Sequence, residues 1–291
     1  MSLAMAVTRL LLRLQPTSTR SAASVERVAR DHPPAAPVPP ALLRVAHMTT
    51  RSIGGRDVIT LTPKQGTTGT QLLYTHGGCY VFPLLPVHWR IIATLMRESG
   101  ATVTVPLYGL APEHHVDEAY ALLEGVYRGL AATGSPVFLA GDSAGGGLAL
   151  GQALRYRDVG LPAPAGVVLI SPWVDVTMAN PDIRAVEPRD PMLGVAGFVA
   201  AGAWWANGAD PRSPLVSPLY GRLDGLPPVS VHQGGRDILA PDALSLVSRL
   251  REAGNDVSLE YLPGAFHDYV GAPWTPEARA TLRSIGRVLR A

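Results

Sequence analysis

Gly141-Asp142-Ser143-Ala144-Gly145 is the stretch on which the reading of this chain turns. It follows a short apolar run of strand type, residues 136–140, and precedes a helical stretch, residues 146–157. A serine with glycine two places before and two places after sits on a sharp strand-to-helix turn that raises its hydroxyl above the sheet. Only small residues at the flanking positions let strand and helix come that close. The helix N-terminus behind the serine favours negative charge developing beside it. Ser143 is therefore the candidate nucleophile.

Upstream, Thr75-His76-Gly77-Gly78-Cys79-Tyr80 follows the strand-like run 71–74. Acyl transfer builds negative charge on a former carbonyl oxygen, and backbone amides aimed at that point stabilise it by about 3 kcal/mol each. Glycines let the main chain approach without side chains in the way. Gly77, Gly78 and Cys79 are candidate donors, with Ala144 beside the nucleophile. Cys79 lies in a glycine loop and not on the sharp turn, so it reads as a small side chain whose amide matters and not as a nucleophile. His76 reads as a residue that fixes the loop.

Downstream, the run 229–232 leads into Gln233-Gly234-Gly235-Arg236-Asp237. Asp237 lies on a loop beyond a strand end, where a carboxylate can hold an imidazole. Asp242 is its rival, but it opens the next helix, where an aspartate is often only a favourable partner of the helix dipole. His267 follows the strand-like run 257–262 through Pro263-Gly264-Ala265-Phe266, and no other histidine follows His232. His267 is the candidate base, with Asp237 favoured as the acid that orients it. His114 and His115 are adjacent and point apart in an extended loop, so they make no metal pair, and no metal or other cofactor is expected.

Around these segments, apolar runs at 58–61, 71–74, 101–105, 136–140, 166–170, 229–232 and 257–262 alternate with helical stretches at 89–99, 118–132, 146–157, 240–253 and 275–290. Apolar strands separated by helices predict an α/β chain with a mostly parallel sheet covered on both faces. Residues 178–220 break the rhythm with six prolines and a bulky apolar set, Met192, Leu193, Phe198, Trp204 and Trp205. They read as an excursion over the carboxyl ends of the strands, where open α/β sheets bind ligands. Met192, Phe198, Trp204 and Trp205 are candidates for a substrate pocket or, equally, for the core of the cap.

Taken together, four segments resemble the hormone-sensitive-lipase-like branch of the α/β-hydrolases, the bacterial family IV esterases. They are His76-Gly77-Gly78-Cys79-Tyr80, Tyr108-Gly109-Leu110-Ala111-Pro112-Glu113-His114, Gly141-Asp142-Ser143-Ala144-Gly145-Gly146, and Asp237-Ile238-Leu239 with His267. The resemblance runs from about residue 50 to the end. It implies the α/β-hydrolase fold and a helical cap made from the N-terminal segment and the insertion after Ile170. It also implies cofactor-free hydrolysis of small or medium acyl esters, and an oxyanion hole of Gly78, Cys79 and Ala144. Tyr80 joins the pocket candidates. The expected division is an N-terminal cap segment and linker (1–45), a first core part (46–177), a cap insertion (178–220) and a second core part (221–291). The chain departs from the family in having Cys79 where a third glycine is usual and Gly109 where arginine is usual. The stretch 189–193 through Asp210-Pro211 is similar to members that open lactones, which keeps a lactone substrate in view.

Composition narrows the rest. The chain has 291 residues, 47% hydrophobic and 16% charged, enough for a large core. A net charge of +2 with no long basic run points away from nucleic acid. A single cysteine precludes an intrachain disulfide, so the fold needs no oxidising compartment and a cytoplasmic setting is expected. Residues 1–30 carry five arginines against one acid, Glu26, beside Leu10, Leu11, Leu12 and Leu14. Arg9 and Arg13 interrupt the apolar run, against a signal peptide. A helix packed on the body is the favoured reading, with an organelle transit peptide and a helix lying in a membrane interface as alternatives. Five prolines in residues 31–40 mark a linker. The expected partner is a small ester or lactone, with a homodimer also in view. A non-enzymatic ligand-binding protein on the same fold is the rival from another class, and the presence of Ser143, Asp237 and His267 together weighs against it.

Overall fold

The computed structural model describes residues 1–15 and 19–290. Residues 16–18, part of the expected N-terminal segment, and residue 291 lie outside the described set. The chain opens with three helices, α1 (Leu3–Leu14), α2 (Ala22–Asp31) and α3 (Pro40–Val45). The proline-rich linker separates α2 from α3, as its composition predicts. A hairpin follows, β1 (Ala46–Ile53) and β2 (Arg56–Pro63), turned by Gly54 and Gly55, both at positive φ. The alternating core then runs β3 (Gln71–Thr75), α4 (Pro86–Ser99), β4 (Thr102–Pro106), α5 (Val116–Ala131), β5 (Val137–Asp142), α6 (Ala144–Asp158) and β6 (Gly166–Ile170). An irregular stretch holds α7 (Ile183–Val186) and α8 (Val195–Ala206). The core resumes as β7 (Val229–Arg236), α9 (Ala240–Glu252), β8 (Val257–Phe266) and α10 (Pro276–Val288).

The eight strands form one sheet in the order β1-β2-β4-β3-β5-β6-β7-β8. β1 and β2 are antiparallel to their neighbours, and the pairings from β4 through β3 to β8 are parallel. This is the α/β-hydrolase arrangement that the motifs imply. β1 escaped the sequence reading because its side chains are mostly exposed, so it lacks the apolar signature of a buried strand.

Strand periodicity produces two cores. Side chains along a strand point alternately to opposite faces. Leu73, Leu139, Val167 and Leu169 therefore face one way and pack with α5, α6 and α9. Leu72, Tyr74, Phe138, Ala140, Val168 and Ile170 face the other way and pack with α4 and α10. α2 rests on α8, with Val25 buried against that pair, so the N-terminal segment and the insertion meet over the same edge of the sheet.

At that edge β5 turns into α6. Ser143 has φ 52° and ψ −122°, a strained conformation for a residue with a side chain. Its amide donates to the Ile170 carbonyl at 2.9 Å and its carbonyl accepts from the Trp173 amide at 2.8 Å, so strand β6 and the chain after it hold the bend. A Cβ at Gly145 would stand 2.0 Å from the Thr75 carbonyl oxygen, and one at Gly141 would stand 2.2 Å from that of Gly145. Both glycines are thus required by backbone packing. Gly145→Ala should lower stability by about 3 kcal/mol or more, because the obstructing atom is main chain and cannot rotate away. Thermal unfolding against wild type measures this, and an unchanged midpoint would contradict the packing argument.

Candidate active site

Strand β3 ends at the loop 76–80, which folds across the bend at Ser143. Cys79 and Tyr80 both take positive φ, 53° and 63°, and Gly78 takes φ 118°. This run of positive-φ residues gives the loop its tight turn. The loop is anchored by Asp142, the residue before the serine. The Asp142 carboxylate accepts from the Tyr74 hydroxyl at 2.5 Å and from the Gly77 amide at 3.1 Å, and it lies 3.3 Å from His88 Nε2. Burial alone would push its pKa up, but His88, Tyr74 and His76 outweigh that and hold it at about 2, so it stays ionised. His76 is buried, its pKa depressed to about 3 by desolvation and by neighbouring His88. Its ring stacks on Tyr108, whose hydroxyl donates to the His76 carbonyl at 2.7 Å.

This geometry corrects one expected role. The Gly77 amide is committed to Asp142, so it cannot serve a reacting oxygen. The amides of Gly78 and Cys79 have no protein acceptor among the described residues. Ala144 is the first residue of α6, where an amide precedes the first intrahelical bond, Gly147 N–H to Ser143 O. The Cys79 thiol is buried and its pKa is driven up by desolvation and by Asp268, which makes it a poor nucleophile.

Asp237 and His267 come together from the ends of β7 and β8. His267 Nδ1 lies 2.9 Å from Asp237 Oδ2. The same carboxylate accepts from Gln233 Nε2 at 2.8 Å and from the Leu239 amide at 2.9 Å, so it is buried and held on both oxygens. Asp242 instead accepts from Asn180 at 2.9 Å and makes no bond to the imidazole among the described residues. The second nitrogen, His267 Nε2, lies 3.1 Å from Asp268 Oδ2. Burial lowers the His267 pKa, but the Asp237 and Asp268 carboxylates outweigh it and hold the imidazole well above its ordinary value. Asp268 is itself pushed up, to about 7, by burial and by Asp142 and Asp237, against the opposing pull of His267. Its Oδ1 is buried with no partner among the described residues.

Ser143, His267, Asp268, Gly78 and Cys79 line one cavity of about 370 Å³. Its apolar wall includes Leu12, Phe82, Met192, Leu193 and Phe198. Of the five pocket candidates, Met192 and Phe198 are therefore placed at the cavity. Tyr80, Trp204 and Trp205 are not. Tyr80 stacks between Trp173 and Trp205, with ring centroids at 5.3 and 4.1 Å, and Trp204 packs against the same core. These three pack in or against the core cluster; an aromatic run in sequence does not say which rings turn inward. A wider groove of about 900 Å³, lined by Trp89 and basic residues including Arg44, Lys64 and Arg97, lies away from Ser143. Among the described residues, no group of three or more His, Cys, Asp or Glu side chains is gathered as for a metal.

A family model described as alpha/beta hydrolase fold matches residues 72–271. The chain belongs to this family. The hydrolase is 36% identical to an acetyl-hydrolase of Streptomyces hygroscopicus over 76% of each chain. It is 33% identical to the esterase LipU of Mycobacterium tuberculosis over 78% of its own length and 80% of the relative's. Among solved structures it superposes on an esterase from the bacterial hormone-sensitive lipase family with TM-score 0.85 and 28% identity, covering 100% of this chain and 98% of that one. The crystal structure of EstE5 soaked with ethyl alcohol matches with TM-score 0.87 and 28% identity, over 100% and 98%.

Three carboxylates near the site were not singled out from sequence: buried Asp142 and Asp190, and partly buried Asp268. Asp142 occupies the variable place of its motif, and Asp268 carries only the weak signal of adjacency to His267. Asp190 joins residues 192–193 of the insertion to the loop that carries Asp237. Its Oδ1 accepts the Met192 and Leu193 amides at 2.8 and 2.9 Å, and its Oδ2 accepts the Ile238 amide at 2.9 Å. Burial and the nearby Asp237 raise its pKa to about 6. Asp190→Ala in the hydrolase would leave three amides unsatisfied and should cost about 3 kcal/mol of stability. It should also lower turnover by loosening the loop behind Asp237. Denaturant titration together with kcat checks both, and a neutral result in both would remove Asp190 from this role.

Proposed function

We propose that this chain is a serine carboxylic-ester hydrolase for small to medium acyl esters, acting through an acyl-enzyme. The observation that carries this reading is the convergence of a strained Ser143, an Asp237–His267 pair and two unclaimed loop amides on one cavity. Neutral His267 takes the Ser143 proton at Nε2 as Oγ attacks the ester carbonyl carbon. The amides of Gly78, Cys79 and Ala144 hold the resulting oxyanion. The imidazolium, stabilised by Asp237, returns the proton to the leaving alcohol as the C–O bond breaks. Water then repeats the sequence on the acyl-enzyme and releases the acid. No cofactor is needed for any of these steps.

Residues 1–45 and 178–220 act as a cap on a core made from 46–177 and 221–291. The cap supplies Leu12, Met192, Leu193 and Phe198 to the acyl wall, and the cavity volume suits short and medium chains. The name of the Streptomyces relative, an acetyl-hydrolase, supports the short end of that range.

Ser143→Ala should reduce kcat/KM on a short-chain aryl ester by about 10⁴-fold or more. Asp237→Asn should be far more damaging than Asp242→Asn. Near-wild-type turnover in the serine variant would end the reading, and the reverse order of the two aspartates would reassign the acid. A panel of acyl lengths and lactones, compared by kcat/KM, fixes the substrate class.

The pH dependence follows from the carboxylates around His267. The base must be neutral to accept a proton, and both Asp237 and Asp268 stabilise its protonated form. The acidic limb of kcat/KM should therefore lie above the ordinary imidazole value. Asp268→Asn removes one of the two charges, lowers the His267 pKa and should move that limb toward lower pH. A shift upward, or none, would mean that Asp268 does not bear on the base.

A further inference from the structure

Helix α1 carries two apolar faces, and packing against the protein accounts for only one of them. Residues three and four apart share a side of a helix. Met5 and Thr8 are buried on the inner side, and Leu12 beside them lines the cavity that holds Ser143. The outer side presents Leu3, Val7, Leu10, Leu11 and Leu14, exposed from 46% at Val7 to 80% at Leu3. A surface helix that buries one stripe normally turns polar residues to solvent. A continuous exposed apolar stripe of this kind marks an interaction site.

Its surroundings indicate what covers it. The only charged side chains of α1 are Arg9 and Arg13, and the first acid of the chain is Glu26. Trp274, 53% exposed, stands beside the helix, its Nε1 donating to Thr8 Oγ1 at 2.9 Å, with the Arg90 guanidinium 5.9 Å over its ring. The helix is pinned to the body by Ser2 Oγ to Glu277 at 2.7 Å, Arg9 to the Gly264 carbonyl at 3.1 Å and Arg13 to the Arg189 carbonyl at 3.2 Å. The outer stripe is therefore presented on a fixed platform. No helix among the described residues is long and apolar enough to cross a membrane.

We infer that α1 is a docking helix for an anionic lipid–water interface. Leucines on its outer face enter the acyl boundary and exposed Arg13, at the edge of that face, meets lipid headgroups, with half-exposed Trp274 beside the helix. Because the inner face of α1 lines the cavity through Thr8, Leu12 and Gln15, docking sets the cavity beside the layer from which an apolar ester would enter. A second copy of the chain is the competing occupant. Two α1 stripes facing each other about a two-fold axis would bring an exposed Arg13 from each copy together with no acid on either helix, whereas an anionic surface neutralises them.

The test is co-flotation of the full chain with vesicles of phosphatidylcholine alone and of phosphatidylcholine with phosphatidylglycerol. Wild type and Ser143→Ala should both float with the anionic vesicles and only weakly with the neutral ones, so docking is read independently of ester hydrolysis. The double variant Leu10→Glu/Leu14→Glu should lose about ten-fold or more in vesicle partitioning. It should keep the wild-type melting temperature and its turnover of a soluble aryl ester. Arg13→Gln should bind anionic vesicles more weakly, with a smaller dependence on salt. Failure of wild type to float, or equal flotation of the double variant, overturns the proposal. So does a wild-type dimer in light scattering that the double variant converts to monomer without any vesicle binding.

Discussion

The Asp142 carboxylate is the constraint on which the site depends. A buried ionised carboxylate is tolerated only when its environment repays the lost hydration. Here a tyrosine hydroxyl, a backbone amide and a histidine do so, and each comes from a different element: Tyr74 from β3, Gly77 from the glycine loop and His88 from α4. The same carboxylate is covalently next to Ser143. One ionised group thus ties the glycine loop to the bend at Ser143. Because the Gly77 amide is committed to this duty, the loop amides left unclaimed among the described residues are those of Gly78 and Cys79.

Negative charge is concentrated in this region more than the motifs suggest. Asp142, Asp237 and Asp268 all bear on the ring of His267 or on one another. Asp237 is held on both oxygens and acts as a fixed partner. Asp268 has one oxygen without a partner among the described residues, and burial raises its pKa while the imidazole it faces lowers it. The His267 imidazole therefore rests between two carboxylates, and their joint field, not Asp237 alone, favours its protonated form.

The insertion is joined to the core by polar contacts and by aromatic stacking. Asp190 caps the start of its own apolar run while accepting the amide that follows Asp237. Tyr80, in the glycine loop, stacks on Trp205 of α8. The wall of the cavity and the loops around Ser143 are consequently not independent. The insertion that lines the cavity also holds the loop of Asp237 and packs on the glycine loop.

Much of this was legible in sequence because it is dictated locally. The alternation of apolar strands with helices, the glycines around Ser143 and the glycine loop follow from backbone sterics and periodicity and show up within a few neighbouring residues. The chain order of Ser143, Asp237 and His267 is read instead from the family resemblance. What sequence could not decide depends on groups far apart in the chain. Gly77 became an anchor because Asp142, 65 positions away, takes its amide. Tyr80 and Trp205 turned into packing because their rings found each other across the cap. β1 stayed hidden because an exposed edge strand needs no apolar pattern. The segment 1–14 determined that it would be helical and basic. Only the tertiary structure decided which of its faces is buried and which meets solvent, because burial is a property of the assembled surface and not of the helix.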